Sequence, residues 1–573
     1  MKKYIYSAMM AMMALFTTSC LNLEPKDQLA DNSLWNKPSD FESFANQMYG
    51  WTNSFHEIVY SNGPHGDKRS DILCDKGGFN IFSNGQNGIP ASSDLSTGNY
   101  KSFYYHINSC NILLSRSAVY AGNVNNIRQA VGEAHFFRAY TYYELLTIYG
   151  DVIIADHVLD TDDPLLKASR NNRLDVAKFI IKDLRDAAGL LKNKNELEQG
   201  RVSSEAALAF LSRVALYEAS WQKFHVKNEN EANALYTEAI NAAKEILGKF
   251  ELFKNDQLGT ESYRYLFILE DAACNPAGLT KSANKEFIFS RCYTETNPIG
   301  KNITKETFGN AQMSTRKFVD MFLCQDGLPI DKSSQYNSTN EKMDSEWENR
   351  DNRLSNILMR PHGTFWNNEP NTSRTSWDDN DRTHASTTNY KPSSGGTGYY
   401  THKYSAERNV TSEYESYDYP IIRYAEVLLN LAEALYERDG KISDGDLNQT
   451  VNQTRRRVNP EMPLLTNAFV SANGLDMREE IRRERTIELF NEGFRLDDLK
   501  RWKTAETEMP MDLCGITLTG EFAREWNLNT LPLNDKGQVV YESGRKFTTK
   551  NYLYPLPSDE LQLNPNLGQN PQW

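Results

Sequence analysis

The sequence IRRERTIELFNEGFRLDDLKRW, from Ile481 to Trp502, alternates glutamates with arginines more densely than any other part of the chain. Glu484 and Glu488 are four residues apart and therefore share one face of a helix. Retaining glycosidases also use two carboxyl groups, about 5 Å apart, so this spacing is compatible with catalysis. A general acid needs a raised pKa, however, and neighbouring arginines favour the ionised carboxylate. The run is therefore interpreted as part of a structural scaffold.

Apolar residues between the charges predict that one side of this helix is packed against the rest of the protein. Ion pairs are expected in and just before the run, between Glu479 and Arg483 and between Asp497 and Arg501. The cations expected to keep the glutamates ionised are Arg482, Arg483, Arg485 and Arg495.

Outward from this run, several segments carry helical periodicity with alanines in the apolar stripe. The clearest are EAHFFRAYTYYELLTIYGD (133–151), SSEAALAFLSRVALYEASW (203–221), ALYTEAINAAKEIL (234–247) and YAEVLLNLAEALYERDG (424–440). Ser203 is an expected N-cap, and Gly150 is expected to end the first segment. Helix pairs of about 34 residues predict a mostly α fold, a tetratricopeptide-like helical repeat scaffold.

Long polar stretches separate these helical blocks. Residues 61–100 and 361–404 have no period, yet they contain many aromatic residues. Irregular segments of this length are usually functional loops or disorder, and disorder disfavours aromatic residues. The sequence therefore predicts a large, ordered, loop-rich region that carries the binding function.

The composition excludes some partners. The chain has 573 residues, 39% hydrophobic and 24% charged, with a formal net charge of -13 and a pI near 5.4. Such a chain is typical of an ordered protein, and its charge would repel nucleic acid. No nucleic-acid partner is expected.

The N-terminus reads as a secretory signal. Lys2 and Lys3 precede an apolar stretch that ends near Phe16, and small polar residues lead to Cys20. This pattern resembles a bacterial lipoprotein signal, in which the cysteine is acylated and becomes the new first residue. Residues 1–19 are thus the expected signal peptide and Cys20 the lipidation site, with soluble secretion after ordinary cleavage as the alternative.

Metal and catalytic motifs do not stand out in the sequence. The six remaining cysteines are widely spaced; Cys274 and Cys292 form one conceivable disulfide, with buried free thiols as the alternative. Zincin, nucleophile-elbow, P-loop and dinucleotide signatures are missing from the sequence. No cofactor is expected, and a structural calcium ion is left open.

Binding of neutral sugars needs an aromatic ring for the apolar sugar face and polar side chains for the hydroxyls. Both loop-rich stretches supply this mixture of residues. The candidate ligand-binding residues are Trp366, Trp377, Phe79, Phe82, Arg69, Asp71, Tyr100 and Tyr399. The alternative is that such residues only attach their loops to the helices.

These motifs together resemble the SusD/RagB-like family of outer-membrane lipoproteins. The resemblance rests on LNLEPKDQL after Cys20, EAHFFRAYTYYELLTIYGDVII, ENRDNRLSNIL, TGYYTHKY, PIIRYAEVLLNLAEALYE, VNQTRRRV, the run at Ile481–Trp502 and the final YLYPLPSDELQLNPNLGQNPQW. It covers nearly the whole chain and places the arginine–glutamate run in the shared scaffold.

The resemblance implies a non-catalytic protein, lipid-anchored in the outer membrane and exposed on the cell surface. Such a protein captures oligosaccharides or polysaccharide and delivers them to a SusC-type TonB-dependent transporter. A peptide-binding lid of the RagB type and a carbohydrate-active hydrolase are the alternatives. Residues 20–573 would form the SusD-like domain, with helical units at roughly 105–250 and 420–502 and ligand loops at roughly 55–104 and 255–418.

Overall fold

Helices dominate the computed structural model, which describes residues 35–75, 80–91, 100–301, 303–305, 312–339, 342, 344–360, 365–366, 373–374, 396–406, 413–520 and 532–573. The helices are α1 (Pro38–Asn46), α2 (Tyr100–Ala118), α3 (Arg128–Tyr149), α4 (Arg173–Leu190), α5 (Ser204–Trp221), α6 (Glu229–Ile246), α7 (Ser262–Tyr265), α8 (Ile303–Lys305), α9 (Arg316–Met321), α10 (Arg353–Ile357), α11 (Tyr424–Asp439), α12 (Asp444–Gln449), α13 (Val451–Arg455), α14 (Asn467–Ala472), α15 (Met477–Glu488), α16 (Arg495–Arg501), α17 (Ala505–Glu508) and α18 (Ser558–Leu563).

The strands are short and come from distant parts of the chain. They are β1 (Leu73–Asp75), β2 (Phe287–Arg291), β3 (Gln312–Ser314), β4 (Phe365–Trp366), β5 (Ser373–Arg374), β6 (Tyr399–Tyr400), β7 (Tyr419–Arg423), β8 (Leu513–Thr517) and β9 (Gln538–Glu542). β1, β3 and β6 form one antiparallel sheet, and β2–β7, β4–β5 and β8–β9 are antiparallel pairs.

The helical scaffold is built mainly from helices that follow one another in sequence. Helices α3 to α6 each pack against the next, α11 packs against α6, and α15 packs against α11. Consecutive helices that pack side by side in this way are the arrangement found in helical repeats. The predicted mostly α, tetratricopeptide-like fold is confirmed.

Local signals fix where these helices begin and end. The Ser203 side chain accepts a hydrogen bond from the Ala206 amide, and Gly150 ends α3 with a φ of 77°. Helix α3 starts five residues before the predicted Glu133 and so includes Gly132. A side chain at Gly132 would lie 2.8 Å from Leu191, so this glycine permits close approach between α3 and the end of α4.

Alanines let α5 and α6 pack closely. Ala207 and Ala215 on α5 and Ala239 and Ala243 on α6 are fully buried. Small side chains at such positions bring two helix backbones together, and the apolar area lost to water stabilises the pair by about 25 cal/mol per Å².

The C-terminal segment packs against the N-terminal helices. Asn570 donates hydrogen bonds to the Tyr149 carbonyl at the end of α3 and to the Tyr554 carbonyl. Arg170, just before α4, donates to the Leu567 carbonyl and to Asn570 Oδ1. The Tyr149 carbonyl in the final turn of α3 therefore has its hydrogen-bond partner about 400 positions away in sequence.

All six cysteines in the described part of the chain are free thiols, so Cys274 and Cys292 do not form the conceivable disulfide. Burial raises the pKa of the Cys292 thiol to about 11, which keeps it protonated and unreactive near neutral pH. Of the helices described, none combines the length and the apolar composition that crossing a membrane would require.

Candidate functional site

The glutamates of the arginine–glutamate run lie in a buried ion-pair network. Arg353 Nη1 lies 2.6 Å from Glu484 Oε1 and 3.1 Å from Glu488 Oε2. Glu488 Oε1 also accepts hydrogen bonds from Arg423 at 2.8 Å and from Arg457 at 2.9 Å. These five side chains are almost completely removed from solvent. Such a cluster is stable only when every charge has a partner. Here the partners come from different helices and from a strand.

The network keeps Glu488 ionised. Burial alone would raise the pKa of this carboxyl, but Arg457, Arg423 and Arg353 lower it to about 2. A carboxylate with this pKa accepts hydrogen bonds near neutral pH and cannot donate a proton. Glu488 therefore does not fit the general acid of a hydrolase, which favours the scaffold interpretation.

The cations around Glu484 and Glu488 come from outside the run, contrary to the expectation that neighbouring arginines supply them. Arg485 instead pairs with Asp498, at 2.8 Å, and donates to Asn430. The reason is helical geometry: residues next to a glutamate in sequence point to another face, which leaves its own face free for distant partners.

The predicted pair Glu479–Arg483 is wrong. Arg483 Nε lies 3.2 Å from Glu480, and Arg483 also donates to the Met321 carbonyl. The contact with α9 turns the guanidinium away from Glu479, which is mostly exposed. A three-residue spacing therefore replaces the expected four-residue spacing.

The predicted pair Asp497–Arg501 is also wrong. Arg501 pairs with Asp498 at 2.9 Å, whereas Asp497 accepts a 2.6 Å hydrogen bond from Arg69. Arg69 is one of the sequence-predicted ligand residues, and it also donates to the Gly493 carbonyl. It lies in the interior and joins the N-terminal loop region to α16.

Asp71, another predicted ligand residue, is buried in a second ion-pair group. It accepts two hydrogen bonds from Arg495, at 2.8 and 2.9 Å, and lies 2.6 Å from Lys317. Burial alone would raise its pKa, but Arg495 and Lys317 hold the pKa well below its usual range. The side chain is thus a fully engaged structural anion.

Phe82 and Tyr100 are packed into the core. The Phe82 ring stacks on Tyr554 with centroids 4.8 Å apart, and its residue is 6% exposed. Tyr100 opens α2 and packs edge-on against Tyr149 at 5.2 Å. Rings held in this way have no free face for a sugar.

Tyr399 lies in β6 and is also buried. Its hydroxyl is 2.9 Å from Glu346 and accepts a hydrogen bond from Arg316 at 2.9 Å. Like Arg69, Asp71, Phe82 and Tyr100, it is tied to the scaffold, and burial argues against direct ligand contact in this conformation. The ligand role of these residues stays a prediction.

The remaining predicted residues lie outside the described side chains. Cys20, Phe79 and Trp377 are not among the described residues, and for Trp366 only the backbone is described. Trp366 belongs to β4 and is opposite Ser373 of β5.

Both predicted ligand loops are connected to the β1–β3–β6 sheet. Asp75, opposite Gln312, precedes residues 76–79 at one end of the sheet. The segment 361–395 leaves and returns at the other end, because Leu358 pairs with Thr401 and Tyr399 is opposite Ser314. The two ends of the sheet are two residues apart along β3, from Gln312 to Ser314. At a rise of about 3.3 Å per residue, this separation is about 7 Å.

An exposed tyrosine at the Asp75 end was missed by the sequence interpretation. Tyr60 is 40% exposed, and its ring lies 6.0 Å from that of His56 and 4.9 Å from Lys301 Nζ. Lys68 fixes it beside the sheet by donating to the Tyr60 carbonyl and to Asp75. An exposed ring beside an ammonium group can stack on a sugar and bind its hydroxyls. The aromatic residues of FHEIVYSNG were the available signal.

One group of metal-ligand residues occurs within the described ranges, formed by His135, Asp183 and Asp186. Arg138 donates to both oxygens of Asp183, at 2.7 Å each, and Lys182 pairs with Asp186 at 2.6 Å. Two cations already neutralise these carboxylates, so the group resembles an ion-pair cluster more than a cation site.

Comparison with protein families gives two matches. A family model described as the SusD family matches residues 280–573. A second model, described as "Starch-binding associating with outer membrane", matches residues 22–216. Together the two models cover the segments around the small sheet and most of the helical scaffold, but not α6.

Solved structures share the fold at low sequence identity. A SusD-like carbohydrate-binding protein from Bacteroides fragilis is 23% identical with a TM-score of 0.72, covering 93% of this chain and 99% of that one. A second SusD-like protein from Bacteroides fragilis is 23% identical with a TM-score of 0.70, and the match covers 96% of this chain and 100% of that one. A SusD superfamily protein from Bacteroides vulgatus is 19% identical with a TM-score of 0.62, and the match covers 94% of this chain and 100% of that one.

Relatives by sequence match over a shorter part. A SusD-like protein from Bacteroides ovatus is 25% identical over 224 residues, 38% of this chain and 39% of the relative. SusD-like protein P2 from Formosa agariphila is 24% identical over 238 residues, 39% of this chain and 45% of the relative. The chain thus matches less than half the length of each of these two relatives.

Proposed function

The chain belongs to the SusD family, and on this premise we propose that it is a non-catalytic glycan-binding protein of the bacterial outer membrane. It captures oligosaccharides or polysaccharide and delivers them to a SusC-type TonB-dependent transporter. The observation that carries this proposal is the match of residues 22–216 to a model described as starch-binding and outer-membrane-associated. The description of the Bacteroides fragilis neighbour as carbohydrate-binding supports it.

The glycan surface proposed here is centred on the β1–β3–β6 sheet. Trp366 and Trp377 belong to the segment that starts and ends at one end of the sheet, and Tyr60 is exposed at the other. Aromatic residues on both loops would offer stacking surfaces to successive sugar units of one chain. The rigid helices and the buried ion-pair network would hold these loops in place.

Attachment to the membrane is proposed to occur through acyl chains on Cys20. Two or more acyl chains give stable anchoring, whereas one gives only reversible binding. Surface exposure and the transporter partner follow from the proposed delivery role. Labelling of cells with a fatty-acid analogue should mark the protein, and Cys20→Ser should abolish the label and release the protein from the membrane.

Affinity electrophoresis of residues 21–573 against plant, microbial and host polysaccharides tests glycan binding. Retardation by one polymer and not by the others would support the proposal and identify the substrate class. Competition by peptides but not by sugars would replace it with a peptide-binding function. Release of reducing ends over days, in a reaction that Glu484→Gln or Glu488→Gln abolishes, would contradict a non-catalytic role.

A further inference from the structure

Arg482 of α15 is buried, and its two ion-pair partners both lie at long range. The residue is 9% exposed, and among the described residues its Nε has no hydrogen-bond partner. The nearest carboxylate oxygens belong to Glu437, at 3.7 Å, and Glu479, at 3.9 Å. Both distances are too long for a hydrogen bond. A buried guanidinium in this state loses its hydration and gains little in return.

Glu437 cannot neutralise Arg482 because other cations occupy it. Arg478 donates to both of its oxygens, at 2.7 and 3.0 Å, and Lys223 lies 2.9 Å from one of them. Three cations therefore surround one carboxylate. Arg482 therefore shares Glu437 with two other cations, and its other ion-pair partner, Glu479, is largely exposed, so a further anion at this guanidinium is favoured.

Aromatic rings hold the Arg482 guanidinium in a fixed orientation. Its central carbon lies 4.6 Å from the Trp502 ring centroid and 5.5 Å from that of Phe224. Trp502 itself is anchored, because its indole nitrogen donates to Glu433 at 2.6 Å. A guanidinium stacked in this way keeps its N–H groups in one plane, ready for a planar, two-oxygen acceptor.

A cleft of about 220 Å³ lies beside this guanidinium. Its lining includes Arg482, Arg483, Glu479, Thr486, Thr504 and Glu508. The volume exceeds the roughly 150 Å³ of a cavity that holds benzene, so a single six-membered ring fits. Thr486 Oγ1 already donates to the Arg482 carbonyl and accepts from Arg495. Thr504 and the two carboxylates are therefore the groups that can bind ligand hydroxyls.

We propose that this cleft is a binding site for a sugar acid, a hexuronate whose carboxylate pairs with Arg482 and whose hydroxyls bind Thr504, Glu479 and Glu508. The site goes beyond the glycan surface proposed above, since none of its lining residues belongs to the β1–β3–β6 sheet or its loops. A carboxylate at Arg482 would form the short charge-assisted hydrogen bonds that Glu437 and Glu479 are too distant to make.

Calorimetric titration of residues 21–573 with D-glucuronate and D-galacturonate tests the proposal, with D-glucose, sodium sulfate and a short glutamate-rich peptide as comparators. The expected result is saturable binding of a hexuronate and none of glucose. Arg482→Gln should weaken hexuronate binding by about tenfold or more, since hydrogen bonds between charged groups are the strong ones. Arg185→Gln, which removes an arginine from the α4 surface pairs with Glu238 and Glu245, should leave binding unchanged.

Thr504→Phe serves as a second test, because it fills the cleft and leaves Arg482 in place. It should also abolish hexuronate binding, even where Arg482→Gln lowers the yield of folded protein. Absence of hexuronate binding overturns the proposal. So does sulfate binding as tight as that of the hexuronates, which means a general anion site, or tighter binding of the acidic peptide, which means a protein partner. Loss of polysaccharide retardation with intact hexuronate binding separates this site from the proposed glycan surface.

Discussion

Arg423 and Glu492 form a two-point ion pair, with Arg423 Nε 2.8 Å from Glu492 Oε2 and Nη2 2.8 Å from Glu492 Oε1. Both side chains are buried, and the pair joins the end of β7 to the turn after α15. Two parallel charge-assisted hydrogen bonds fix both distance and orientation. The loop-rich half and the helical half are thus connected through their interiors.

Arg423→Met should destabilise the fold strongly. It leaves Glu488 and Glu492 short of a cation in the interior, which costs roughly 3 to 5 kcal/mol. Urea unfolding followed by circular dichroism measures this loss. Arg438→Met is the matched control, because Arg438 pairs with Asp439 on the surface and should change stability by less than about 1 kcal/mol. Equal effects of the two variants would refute the network interpretation.

Acid should weaken the fold below pH 4. The pKa values of Glu488 and Glu433 are about 2 in the folded protein, because arginines outweigh the effect of burial. Groups with depressed pKa values stabilise fully above their ordinary value of 4.5, and the contribution, on the order of 3 kcal/mol each, is lost as pH falls toward 2.

Two other carboxyls act in the opposite sense at higher pH. Burial raises the pKa of Asp67 to about 6 and that of Glu415 to about 7, so both lower stability as pH rises from about 4 to 7. The informative range is therefore pH 4 to 2, where both are protonated. Denaturant titrations at pH 4, 3 and 2.5 should show a steady loss, and a constant free energy of unfolding would contradict the assignment.

Phe82→Ala should affect stability and not glycan affinity. The ring is buried against Tyr554, so its removal leaves a cavity and costs roughly 3 to 5 kcal/mol. Thermal unfolding and affinity electrophoresis on the same sample separate the two effects. Normal melting with lost retardation would instead support the original prediction that Phe82 contacts ligand.

Trp366→Ala and Trp377→Ala should abolish retardation by the polysaccharide while the circular dichroism spectrum and the melting temperature stay unchanged. Stacking of a sugar on one aromatic ring is worth on the order of 1 kcal/mol or more, and an extended ligand uses several rings. Undiminished binding by both variants would exclude these two residues from the ligand surface.

Tyr60→Ala should weaken polysaccharide binding severalfold without loss of stability, because the ring is largely exposed at the end of the β1–β3–β6 sheet. Tyr105→Ala is the control, since Tyr105 is 66% exposed on α2 and lies outside the proposed surface. If both variants bind like the parent protein, Tyr60 is only a surface residue.

Local patterns in the sequence were enough to predict the helical scaffold. Ser203 caps α5 and Gly150 ends α3, as predicted. The alanines in the apolar stripes are buried, also as predicted. Such signals act over three or four residues, so one segment contains all the information needed.

Partners and burial could not be predicted in the same way. Arg353 lies 131 residues from Glu484, and Arg69 lies 428 residues from Asp497. A charged side chain in a polar loop looks alike whether a distant partner buries it or solvent surrounds it. Arg69 and Asp71 were therefore interpreted as ligand residues, whereas the structure assigns both to interior ion pairs.

The contact between Asn570 and Tyr149 has a consequence for how the protein is made. A chain is synthesised from its N-terminus, so α3 and α4 appear long before residues 567 and 570 are available to cover their ends. Contacts that span about 400 residues close late, because a long loop must first be ordered. Until then the N-terminal helices carry exposed carbonyls and apolar surface, which is the period in which a chaperone has most to protect.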